Sequence, residues 1–293
     1  VAKQKPVGAW ETITPAKAEK WLNELNTNNR KLREGVAEAY AEDMAHGRWT
    51  ENPEPMMFYD DGSLADGQHR LFAIVLSDTT QQMYVIRGVD KANALNINTG
   101  STRSLQDNLR IATGEKVSKT SIGMVKVLAY GSQATGFTRR MTNAERQELL
   151  GRFRPHVEWV NAHRPTKLRV SNAIVAAAIA RAHMHEKDLD RLGEFCTVLG
   201  TGMPQGSQDS ACIAIRNYLF EHSSYRQESR DMFLKCMNAI RYFMRRKPLT
   251  VIKTVKEEAY PLPEKFEKNV PKRTLKITRA LTKRAEAQEA ARS

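Results

Sequence analysis

The chain has 293 residues, 41% of them hydrophobic and 27% charged, enough apolar material for one large domain or two ordinary ones. No apolar run approaches the ~18 residues a membrane span needs, and no signal-type apolar segment opens the sequence, so the expectation is a soluble cytoplasmic protein without membrane contact. The formal net charge of +13 is unevenly spread: residues 1–110 carry 13 Lys and Arg against 15 Asp and Glu, residues 111–240 carry 18 against 12, and residues 241–293 carry 15 against 6. A basic excess concentrated towards one end is suited to neutralising phosphates, which points to nucleic acid as a partner; a solvated basic tail is the plainer reading. Cys196, Cys212 and Cys236 are odd in number and in no metal-ligand spacing, so they read as buried small hydrophobes.

Thr14-Pro15 is a good N-cap and first-turn pair, and Ala18, Trp21, Leu22 and Leu25 follow at helical spacing. Asn26-Thr27-Asn28-Asn29 breaks that helix. A second is expected from about Lys31 to His46, ended by Gly47. Met56–Tyr59 reads as a strand, Asp60-Asp61-Gly62-Ser63 as a turn and Leu64-Ala65 as the partner strand. From Gln68 to about Leu76 the apolar residues fit a buried helix, Met83–Gly88 another strand and Lys91–Leu95 a short helix, while Ser104 can cap a helix through Ile111. Beyond residue 115 the strand signals fade. Helices are expected near 119–131, 142–151, 171–185, 187–199, 209–221 and 225–245, with Pro155, Pro165, Pro204 and Pro248 as punctuation. The fold class is therefore α+β: a small N-terminal domain over residues 1–114, an all-α domain over 115–248 and a basic, loosely packed tail over 249–293, helical from about Lys276.

One segment carries chemistry. Asp66-Gly67-Gln68-His69-Arg70 lies at a strand-to-helix junction, where a glycine lets backbone approach a ligand and the first helical N–H groups point at it. Gln68, His69 and Arg70 add donors for phosphate, and Asp66 could hold a cation such as Mg²⁺, bind a ribose hydroxyl or serve as a base. The competing reading is a polar turn whose Arg70 pairs with a carboxylate such as Asp60 or Asp61. A second loop, Thr99-Gly100-Ser101-Thr102-Arg103-Ser104, offers hydroxyls and a cation for phosphate, or simply caps the next helix. Arg139-Arg140, Arg245-Arg246-Lys247 and Lys272-Arg273 are candidate DNA contacts, with Tyr242 and Phe243 on the core side of their helix. His183 and His185 read as surface histidines for want of a third ligand. There is no Gly-x-x-x-x-Gly-Lys-Ser/Thr, Gly-x-Ser-x-Gly or His-Glu-x-x-His pattern.

The order of helix, helix ending in Ala45-His46-Gly47-Arg48-Trp49, strand, Asp-Asp-Gly turn and Asp66-Gly67-Gln68-His69-Arg70-Leu71-Phe72-Ala73 resembles the N-terminal domain of the ParB/sulfiredoxin-like superfamily over about residues 10–112. It looks most like the Asp-Gly-Gln-His-Arg variants of phage and mobile-element proteins, which for a phage protein means the host cytoplasm. In ParB the corresponding Gly-Glu-Arg-Arg-x-x-Ala element binds the triphosphate of CTP. Gly67, Arg70 and Ala73 match that pattern, and Gln68 and His69 depart from it. The cysteine of sulfiredoxins is absent. A basic position near Arg30 contributes to the pocket in ParB-like proteins, and relatives include an ATP-dependent free-serine kinase and nucleases.

The resemblance implies a nucleoside triphosphate, CTP or ATP, with Mg²⁺ at Asp66 and with Asp66 and Arg70 as the residues of any hydrolysis or phosphoryl transfer. The leading expectation is a nucleotide-binding, DNA-associated protein. Two alternatives stand beside it: a metal-dependent nuclease using Asp60, Asp61 and Asp66, and a non-catalytic DNA-binding regulator. An oligomeric partner is compatible with each.

Overall fold

The structure is a computed structural model that describes residues 5–27, 29, 31–51, 54–97, 103–132, 141–166, 169–222 and 229–268. Arg30, Thr99, Gly100, Thr102, Arg139, Arg140, Lys272, Arg273 and the helix expected from Lys276 lie outside the described residues. The chain divides into two compact units, with the boundary between residues 102 and 103. The helix capped by Ser104, expected to close the first domain, thus belongs to the second unit.

The first unit is a four-stranded sheet with helices on one face. In chain order it runs β1 (Val7–Ile13), α1 (Pro15–Glu24), α2 (Glu34–Ala45), β2 (Met56–Tyr59), β3 (Leu64–Asp66), α3 (Gln68–Ser77), β4 (Gln81–Val89) and a 3₁₀ turn, Lys91–Asn96. The strand order is β1-β4-β2-β3: β1 with β4 and β2 with β3 are antiparallel, β2 with β4 parallel. β1 was not expected. Its only buried residue is Ile13, and a strand with two wet faces shows no apolar alternation. The α1 cap is as expected, with the Thr14 hydroxyl accepting the Lys17 N–H at 3.2 Å and Pro15 opening the helix. α1, α2 and α3 close over Met56, Phe58, Met83 and Val85, and the core is completed by Trp21, Leu22, Ala37, Ala41, Leu71, Phe72 and Ile74. Trp21 meets Phe58 edge to face at 4.9 Å.

The second unit is helical: α4 (Leu105–Thr113), α5 (Lys119–Tyr130), α6 (Asn143–Arg152), α7 (Arg154–His163), α8 (Ala173–His185), α9 (Leu189–Thr201), α10 (Ser210–His222), α11 (Ser229–Met244) and α12 (Glu264–Glu267). α8 runs through the middle, buried from Val175 to Ala182, with its small residues letting neighbouring helices approach closely. One expectation is extended and one corrected here. Pro155 marks a helix boundary as expected but opens a helix that was not, α7, standing in its first turn where the N–H it lacks has no helical acceptor anyway. Residues 249–268 are not a loose tail but an arm that packs on the helical core through Ile252, Val255, Tyr260, Leu262 and Phe266.

The arm is fastened at a buried charge. Arg181, 2% exposed, donates from Nε to the Leu128 carbonyl at 2.7 Å and from Nη1 to the Tyr260 carbonyl and Glu258 Oε2, both at 3.2 Å. The other Glu258 oxygen accepts the Ser132 N–H at 2.5 Å and occupies the place a Cβ would take on Gly131, whose φ of +58° already favours glycine. Burial lowers the Arg181 pKa to about 10 against the opposing pull of Glu258. Tyr260 donates to Glu186 at 2.5 Å, and His185 donates from Nε2 to the Pro261 carbonyl at 2.6 Å. Among the described residues no helix is long and apolar enough to cross a membrane.

Candidate functional site

The junction singled out in the sequence lies where β3 hands over to α3. Gly67 caps the helix at φ +116°, a conformation closed to side chains, and a Cβ there would stand 2.9 Å from Met56 Cγ. Glycine is demanded by the fold itself. Gln68, His69 and Arg70 are 4%, 8% and 5% exposed, so the motif points into the protein.

Arg70 reaches back to the start of β2, donating to the Glu54 carbonyl, to the Pro55 carbonyl at 2.8 Å and to Asp66 Oδ2 at 3.1 Å. His69 accepts the Arg33 N–H on Nε2 at 3.1 Å, at the cap of α2, which places its own proton on Nδ1. Nearby, Leu64 donates to the Leu25 carbonyl at 2.8 Å and accepts from Asn29 Nδ2 at 2.8 Å. The motif is therefore a knot that ties the starts of α2, β2 and α3 together. Arg70 is paired with a carboxylate, as the plainer reading had it, but the partner is Asp66 rather than Asp60 or Asp61.

Oδ2 of the Asp66 carboxylate thus accepts from a guanidinium four residues along. Asp61 is held by Lys91 and by the Ser63 hydroxyl and N–H, which keep its carboxyl well below the ordinary range. Among the described residues no three His, Cys, Asp or Glu side chains converge as a metal site would require. Asp60, Asp61 and Asp66 therefore do not gather as the three-aspartate nuclease arrangement would need.

Of the second loop, Arg103 and Ser104 are described. The Ser104 hydroxyl donates to Asp107 Oδ2 at 2.6 Å and accepts the Asp107 N–H at 3.3 Å, while the Ser104 N–H bonds Asp107 Oδ2 at 3.1 Å. This is a complete capping box, so Ser104 is spent on starting α4.

The basic cluster after α11 is different. Arg245, Arg246 and Lys247 are all exposed, and none forms an ion pair among the described residues. The helix ends in paired reverse hydrogen bonds, Arg246 N–H to the Phe243 carbonyl and Lys247 N–H to the Tyr242 carbonyl, both 3.0 Å. This closure needs a left-handed residue, usually glycine, and here Arg246 adopts it at φ +54°. Phe243 beneath is fully buried, and Tyr242 partly. Lys253 and Lys256 on the arm that follows are also exposed.

Two further side-chain groups were not legible in the sequence. Arg191 stacks on Phe243 at 3.6 Å and pairs with the buried Asp209 at 2.7 Å, tying α9 to α11. His183, expected at the surface, is half-buried and shares a hydrogen bond with His156, Nδ1 to Nδ1 at 2.7 Å. The three cysteines are buried, as their spacing implied. No protein-family model, curated protein or solved structure matches the chain.

Proposed function

We propose that the chain is a DNA-associated protein that grips the phosphate backbone with its helical unit, its first unit being a ParB-like scaffold. The observation that carries this reading is Arg246. An arginine stands where the helix end favours glycine, at a conformational cost of roughly 1–2 kcal/mol, and its flanking residues are two more exposed cations. Strain kept at a solvent-exposed cation has no counterpart in packing, and phosphate contact is a use for the charge it keeps there. The steep rise of positive charge along the sequence agrees with it.

Titrating labelled duplex DNA at several salt concentrations tests the reading. Replacing Arg245, Arg246 and Lys247 together by alanine should flatten the slope of log K against log salt by about 2.7, roughly 0.9 per phosphate contact. Arg246→Gly should weaken binding and yet stabilise the protein by about 1 kcal/mol, because the backbone strain is relieved. Unchanged DNA affinity in the triple variant sinks the proposal.

A second reading, a nucleotide at the start of α3, rests on one observation: Gly67 gives that helix no side-chain cap, which leaves a helix terminus suited to phosphate. A thermal-shift screen with ATP, CTP, GTP and UTP checks it. A nucleotide at about 100 times its dissociation constant should stabilise by roughly 2.7 kcal/mol. No shift with any of the four rejects this second reading.

A further inference from the structure

His156 on α7 and His183 on α8 lie under the last turn of the arm. Their Nδ1 atoms are 2.7 Å apart, and such a contact requires one ring to donate Nδ1–H and the other to accept on a bare Nδ1. The pair therefore holds together only while at least one ring is neutral. Phe266 of α12 packs edge to face on His156 at 5.7 Å and tilted on Phe153 at 5.1 Å, so the pair forms part of the seat for the arm's end. Trp159 closes the other side, 4.8 Å from His183 and stacked on His163 at 4.1 Å.

The charges around the pair oppose further protons. Lys265 on α12 and His163 on α7 face it, the one towards His156 and the other towards His183. The carboxylates of α12 act elsewhere: Glu264 is held by Lys268 at 2.5 Å, and the field of Glu267 falls on Arg181. On α8 the neighbouring His185 is engaged with the Pro261 carbonyl.

We propose that His156 and His183 form an acid-sensitive latch that holds the α12 turn on the helical unit and releases it when both rings become charged. Burial, with His183 and Lys265, lowers the His156 pKa to about 4, and burial and His163 lower that of His183. The sign follows. Histidines depressed in the folded state contribute no destabilisation above the reference value of 6.5, and the arm's seat weakens as pH falls from there towards 4. Glu258 and Glu186 fasten the arm further back through Arg181 and Tyr260, apart from the histidine pair, so release is confined to its end. The cations Lys268, Lys272 and Arg273 follow this turn in sequence. The inference does not depend on what the protein binds.

Hydrogen exchange of the whole chain, read on the peptide covering residues 259–268 and corrected for intrinsic rates, tests it at pH 7.5 and 5.0. Protection in that peptide should fall about tenfold at the lower pH, while α8 stays protected. In His156→Phe, which keeps an aromatic seat for Phe266 but no titrating group, the loss should vanish. His183→Gln, which hydrogen-bonds without charging, serves if the first variant folds poorly. Equal protection at both pH values in the wild type, or the same loss in both variants, overturns the latch.

Discussion

Arg70→Ala should cost the first unit about 3–5 kcal/mol, the largest loss expected from a single substitution there. The guanidinium satisfies the Glu54 and Pro55 carbonyls and the Asp66 carboxylate from a 5% exposed position, and alanine strands all three. Arg70→Lys recovers only part, because one ammonium cannot reproduce the planar fork that meets acceptors on two different elements. Urea denaturation followed by intrinsic fluorescence is the measurement, since Trp21 and Trp49 lie in the first unit. A transition within 1 kcal/mol of the wild type would show that the knot is dispensable and return Arg70 to the role of a ligand group.

Gly131→Ala should cost the helical unit several kcal/mol, far more than the same change at Gly114. Both glycines have positive φ, but Gly114, left-handed helical at ψ −6°, costs alanine about 1 kcal/mol of backbone strain, whereas Gly131, at ψ −140°, lies in a region nearly reserved for glycine and costs about 1–3 kcal/mol. At Gly114 the added methyl meets open space. At Gly131 it meets the Glu258 carboxylate, and expelling that group leaves Arg181 buried without its counter-charge, a loss of about 3–5 kcal/mol. The two variants are compared by urea denaturation, and proteolysis of residues 249–268 reports the arm's fastening apart from glycine strain. Equal losses at the two positions would mean that Arg181 and Glu258 contribute little.

The order of elements from Pro15 to Val89 could be read from the sequence because α1 buries a stripe, α3 carries a nearly continuous apolar run and the central strands β2 and β4 alternate. β1 was hidden for the opposite reason: Val7 is 66% and Trp10 49% exposed, so the strand is held by its pairing with β4 rather than by burial. The arm was hidden because Pro261, Pro263 and many lysines mask a sparse apolar series that matters only once α8 exists to receive it. The site shows a sharper limit. The position of Asp66–Arg70 at a strand-to-helix junction was legible, but the direction of its side chains was not, since a phosphate cradle and an internal knot call for the same glycine and the same donors. His156 and His183 are 27 residues apart in the chain, and nothing in either local pattern announces their contact.

The pairing of β1 with β4 has a consequence for synthesis. Glu11 and Arg87, joined across the two strands, are 76 residues apart, and at about 5–20 residues per second β1 waits roughly 4–15 s for its partner strand to be made. During that interval its backbone is open to any other extended chain. The strand carries a glutamate beside its centre, a feature that discourages borrowed pairing until Arg87 arrives to pair with it. The residue that fastens β1 to β4 in the finished sheet thus guards that edge before the partner strand exists.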